Sequence, residues 1–166
     1  MSRAFTKEDG PELPEDPSER PVSPHPNYVT PRGAALLQAL EERLVGELAG
    51  YEGTQDDPAR RRRKRELERD LRYCRARRDA AILVDPSGQP KDEVRFGARA
   101  TLRKDDGTER VLRVVGEDEA EEGGELVPWP APFVQALFGL KAGQSLEWEG
   151  EAGPEKWTVL SVEQPS

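Results

Sequence analysis

DPARRRRKRELERDLRYCRARRDAAILV, residues 57–84, decides how the rest of the chain is read. Asp57-Pro58 is a helix start, with Asp as N-cap and proline at the first helical position. Beyond it Leu67, Leu71 and Cys74 form an apolar stripe that continues to Ala81 and Ile82, with the aliphatic stem of Arg78 filling the gap. The pattern predicts one long helix over 57–84, intensely basic where it starts and apolar where it ends. Between Pro58 and Val84 stand 11 Arg or Lys against 4 Asp or Glu, in a chain whose net charge is −8. Charge is segregated along this chain rather than spread over it.

Upstream, Thr30-Pro31 repeats the start signal. Leu37, Leu40, Leu44 and Leu48 follow at helical spacing, and Gly50 ends the run near Ala49. Two amphipathic helices joined by the turn Gly50–Asp57 read as an antiparallel helical hairpin over 30–84, with its apex near residues 57–58. Arms of about 20 residues are roughly 30 Å long. The apolar seam covers the base and middle of the hairpin, so Arg60 to Arg65 ring its free end. A two-helix unit this short is marginal alone, so its base needs an anchor.

Residues 1–29 hold six prolines, scattered acids and few large apolar side chains. They are expected to form a disordered tail, with only SPHPNYV at its end packing locally. His25, between two prolines and with no second histidine in the chain, reads as an extended loop residue. The sequence has 34% hydrophobic and 35% charged residues, which fits one small globular domain plus an exposed helical element. No apolar run is long enough to span a membrane, and MSRAFTKEDG has no secretory apolar stretch. One cysteine excludes an intramolecular disulfide, and a reducing cytoplasm is expected. A monomer without membrane contact is the expected state.

After the turn Val84–Pro90, EVRFGARATLRK alternates, with Val94, Phe96, Ala98, Ala100 and Leu102 on one face. Asp105–Thr108 is hairpin chemistry, and Arg110–Val115 is the return strand. An acidic loop, Glu117–Glu125, leads to a short edge strand before Trp129, where Pro128 limits pairing. PFVQALFGL reads as a short helix with Val134 and Leu137 inward, and residues 145–149 and 156–162 complete an antiparallel sheet. Residues 85–166 are thus an α+β domain of one sheet with one helix laid on it.

The order of these parts resembles the Gre family of bacterial transcription elongation factors. NYVTPRGAALLQAL resembles the family's opening, and ERDLRYCRARRDAAILVD its second helix. DEVRFGARATLRKDDGTERVLRVVGEDEAE resembles its first C-terminal hairpin, through Val94, Phe96, Gly97 and the run Val114-Val115-Gly116-x-Asp118-Glu119. APFVQALFGLKAGQSLEW matches a family segment at Pro132, Ala136, Leu137, Gly139 and Gly143, departing at Ala131 and Gln144. The resemblance implies an FKBP-like C-terminal domain seated on the rim of RNA polymerase's secondary channel, with the hairpin inserted. It implies that two tip acids help hold a second magnesium ion in the polymerase and promote cleavage of backtracked RNA. The family tip reads Gly-Asp-x-Ser-Glu-Asn, whereas Gly53-Thr54-Gln55-Asp56-Asp57 stands here, on shorter arms.

The candidate site residues divide by chemistry. Asp56 and Asp57 are the adjacent tip acids; they either share magnesium with the polymerase or cap and complement the second helix. Arg60, Arg61, Arg62, Arg63, Lys64 and Arg65 either attract nascent RNA and an acidic channel wall or pair with Glu66, Glu68 and Asp70. By that count at least four charges stay unpaired. Trp129, Pro132 and Phe133 are candidates for the rim contact, with Phe133 and Phe138 equally suited to the core. No nucleophile–histidine pair, metal cluster or phosphate loop is visible, so the chain is not read as an enzyme, and an FKBP-like fold alone licenses no isomerase activity. The function expected is regulation of elongation. It is either stimulation of transcript cleavage or inhibition without cleavage, and a polymerase-independent docking module is the alternative.

Overall fold

The computed structural model describes residues 16–53 and 57–165. Strand β1 (Asn27–Val29) leads into helix α1 (Pro31–Ala49), and helix α2 (Pro58–Asp79) returns to strand β2 (Ala81–Leu83). Both helices start as their sequence dictates. The Gly33 amide donates to Thr30 Oγ1 at 2.9 Å, and the Ala59 amide to Asp57 Oδ1 at 2.9 Å. Leu37 and Leu44 of α1 interlock with Leu67, Leu71 and Cys74 of α2, and Val29 closes this core at the base. The Cys74 thiol donates to the Leu37 carbonyl at 3.3 Å, making it a small buried residue of the seam.

Two expectations for this half change. The second helix stops at Asp79 instead of running to Val84, because residues 81–83 pair in parallel with 27–29. The Ile82-Leu83-Val84 run suits a strand once a ladder partner is present. That partner, Asn27–Val29, is the end of the SPHPNYV stretch expected to pack locally; residues 1–15 lie outside the described residues. The guanidinium that continues the stripe belongs to Arg77, 1% exposed, while Arg78 points outward to Glu41.

The second half is a five-stranded sheet of β3 (Arg99–Lys104), β4 (Glu109–Val115), β5 (Leu126–Pro128), β6 (Ser145–Gly150) and β7 (Gly153–Glu163), with helix α3 (Pro132–Leu137). The α+β class stands, and the strand order is β5-β4-β3-β7-β6. The sheet is mixed rather than wholly antiparallel, because β5 pairs in parallel with β4 at the edge. The acidic loop between them turns the chain twice, through Gly116–Glu119 and Glu121–Gly124, before β5 begins. The expected first strand is shorter than its alternation, starting at Arg99. Residues 93–98 instead cross to Lys141 and bend at Gly97, whose φ is +86°. The face is nonetheless the expected one: Val94, Ala98, Ala100 and Leu102 are all buried, and Val94, Ala100 and Leu102 share a core with Val134 and Leu137 of α3.

Candidate functional site

The tip is built on the caps of the two arms. Asp57 spends Oδ1 on the first turn of α2, so the structure realises its capping role. Arg60 folds back across the turn. It donates to the Gly50 carbonyl at 3.2 Å and lies 5.1 Å over the Tyr51 ring. These contacts tie the end of α1 to the first turn of α2. Asp56, with Thr54 and Gln55, lies outside the described residues. Among the described residues no group of three His, Cys, Asp or Glu side chains is placed to hold a metal ion. Replacing Asp57 with alanine is expected to cost about 1 kcal/mol in denaturant unfolding, and with asparagine only a few tenths, since the amide oxygen accepts the same bond.

The basic run is less naked than its sequence implies. Arg62 pairs with Glu66 at 3.3 Å, Arg63 with Glu47 at 3.4 Å and Glu66 at 3.5 Å, and Lys64 with Glu68 at 3.9 Å. Arg65 meets Asp16 at 3.3 Å, and Arg61 also has a partner. The expected surplus of four unpaired charges is therefore not found; helical i,i+4 neighbours, the facing arm and the N-terminal segment supply acids. These pairs are largely exposed, so each contributes about 0–1 kcal/mol and leaves a positive field for a desolvating partner.

At the other end a buried polar joint anchors the arm. Arg77 Nε donates to Asp118 Oδ2 at 2.5 Å and Nη2 to Asn27 Oδ1 at 2.7 Å, with Glu117 at 3.5 Å. Asn27 Nδ2 returns a bond to the Arg77 carbonyl at 2.7 Å. Beside it Thr30 Oγ1 donates to Glu119 Oε2 at 2.5 Å, and Arg32 reaches the other oxygen at 3.1 Å. Gly116 permits this closure: a Cβ there would sit 2.5 Å from the Tyr28 carbonyl oxygen. One acidic loop of the sheet thus holds β1, the cap of α1 and the last turns of α2. Sequence reasoning noted Thr30, Asp118 and Glu119 but not their union. The available signal was an arginine three residues beyond Cys74 on the apolar stripe.

Tyr73 donates to the other oxygen of Asp118 at 2.7 Å. Burial first, and then this hydrogen bond, push its phenol up to about 12. An unfolded tyrosine titrates near 10. The native state therefore keeps the proton longer. The stabilisation is full below about pH 10 and is lost as pH climbs towards 12. Denaturation curves across that window should fall less steeply for Tyr73→Phe than for the parent chain; equal slopes would refute the linkage.

The three rim candidates have different immediate neighbours. Trp129 packs edge-on against Tyr28 at 5.2 Å and His25 at 5.8 Å, so His25 is a ring partner rather than a bare loop residue. Trp129 Nε1 is buried without a hydrogen-bond partner among the described residues. Phe133 sits between Trp148 and Trp157 at 5.3 and 5.9 Å, as a shared core and surface residue. Pro132 begins α3 and is exposed.

Residues 89–164 match the family model described as transcription elongation factor, GreA/GreB, C-terminal. Transcription elongation factor GreB of Neisseria meningitidis serogroup B is 30% identical over 155 residues, covering 82% of this chain and 93% of the relative. The chain belongs to the GreA/GreB family of transcription elongation factors. Transcription elongation factor GreA of Rhodopseudomonas palustris is 32% identical over 130 residues, 77% of this chain and 78% of the relative. Among solved structures, a GreA/GreB factor of Nitrosomonas europaea aligns at 23% identity and TM-score 0.42, over 84% of this chain and 98% of that one. Gfh1 of Thermus thermophilus, a GreA homologue, aligns at 17% identity and TM-score 0.39, over 84% and 99%. This GreA/GreB protein is accordingly a transcription elongation factor, which is not an enzyme in its own right. No helix among its described residues is long and apolar enough to cross a membrane.

Proposed function

We propose that the protein binds RNA polymerase through its secondary channel, arm first, and modulates elongation from there. The observation that carries this reading is the anchored arm. Its base is fixed to the sheet through Arg77, Asp118 and Asn27, and its far half presents Arg60 to Arg65 to a partner. A positive surface of this kind favours an acidic channel wall and the phosphates of nascent RNA, with salt-sensitive affinity. Pro132, Trp129 and Phe133 are the proposed rim contacts, on the domain that would stay outside.

Of the two outcomes, regulation without cleavage is the better supported. The Asp-x-x-Glu-Asn tip pattern is missing, and Asp57 spends a carboxylate oxygen on its own helix. Asp57 alone does not make a magnesium site. Magnesium shared at the tip would draw its other ligands from Asp56 and the polymerase. Stalled elongation complexes test both levels. The protein should displace a known channel-binding factor from core polymerase while leaving backtracked transcripts uncut. Absence of binding sinks the reading. Cleavage lost on Asp56→Asn or Asp57→Asn would instead favour the stimulating outcome, since Asp57→Asn keeps the cap.

A further inference from the structure

Residues 16–23, which precede β1, lie along the basic arm rather than away from it. Asp16 is 3.3 Å from Arg65 Nε, and Glu19 accepts from Arg72 Nη2 at 2.5 Å and Nε at 3.4 Å. Arg20 stacks 3.9 Å over the Tyr73 ring and lies 3.7 Å from Asp70. Ser23 Oγ then donates to Glu117 at 3.0 Å, at the joint. The segment runs parallel to α2: strap residues 16 to 19 match helix residues 65 to 72. An extended chain rises about 3.3 Å per residue and a helix about 1.5 Å, so both spans are roughly 10 Å. Pro17 and Pro21 hold the strap extended.

Charge and exposure say what kind of contact this is. Within the described strap, Asp16 and Glu19 are the acids and both face arginines of α2. Asp16, Ser18, Glu19 and Arg20 are exposed, so the strap buries little apolar surface and is held by ions. Arg65 Nε is buried, with no hydrogen bond among the described residues, and lies 3.3 Å from Asp16. Such pairs are weak and screened by salt. A cover of this kind is displaceable by a denser polyanion.

We propose that the acidic strap is a built-in competitor: it occupies the Arg65–Arg72 face of α2 and must leave before that face engages polymerase. The proposal rests on the polymerase-binding reading above, and its test keeps the two apart. Cys74 is fully buried, so Ser18→Cys offers a single reactive thiol on the strap of the full chain. A nitroxide placed there should broaden the amide signals of Arg65 to Arg72, and high salt should restore them. In parallel, core polymerase is titrated with the parent chain and with Asp16→Lys/Glu19→Lys. Loss of two exposed ion pairs from the covered state corresponds to about fivefold tighter binding, a gain that shrinks as salt rises. An unbroadened α2 overturns the docked strap, and broadening with unchanged affinity overturns the competition; in both cases polymerase binding itself survives. Absence of binding by either chain removes the polymerase reading and the competition with it, while the nitroxide still reports whether the strap is docked.

Discussion

Arg77→Met is expected to lower the free energy of unfolding by about 3 kcal/mol, the low end for removing one partner of a buried ion pair. The loss comes from what stays behind. Asp118 would keep only the Tyr73 hydroxyl and partial solvent, and Asn27 Oδ1 would lose its donor. Side-chain exposure at Asp118 is 19%, so some of the deficit is relieved by water, which selects the lower figure. Arg78→Met is the control. Its side chain is 48% exposed on the same turn, and the change should cost less than about 1 kcal/mol. Equal losses in denaturant melts of the two variants would dismiss the joint as an energetic element. The same substitution should weaken the coupling of arm to sheet, so amide exchange in the last turns of α2 should quicken as well.

Leu67→Ala is the second large effect, at about 2–5 kcal/mol. Leu67 is 1% exposed and sits halfway along α2, where the arms are held by side-chain packing with no help from the joint. Truncation leaves a cavity between two helices that have little propensity to persist alone. Hydrogen exchange in α1 and α2 should accelerate on the order of 100-fold, with the sheet strands unaffected. Leu36→Ala, at a 43% exposed position of α1, should change stability by no more than about 0.5 kcal/mol. A sheet that opens together with the arms in Leu67→Ala would contradict the separate seam.

Much of this architecture was legible from local pattern. Thr30-Pro31 and Asp57-Pro58 mark both helix starts because capping is decided within four residues. The leucine stripes place both arms, and alternation from Val94 to Leu102 names the buried face of the sheet. Where the reading missed, a distant partner had intervened. Residues 81–83 continue a helical pattern until Asn27–Val29 offers them a ladder. Arg78 fits a heptad better than Arg77, but Asp118 and Asn27 stand where Arg77 points. The charges of Arg60 to Arg65 look unpaired when only their own helix is counted, whereas Glu47 and Asp16 reach them from other segments.

The sequence by itself determined two capped amphipathic helices, a basic far half, an alternating sheet and the family to which they point, since each depends on residues close together in the chain. Only the tertiary structure decided which arginine is buried and what holds the arm to the sheet. It alone decided that an acidic strap lies on the basic face. Those are choices between groups tens of residues apart, and they are made by burial and charge pairing in space, which local periodicity does not encode.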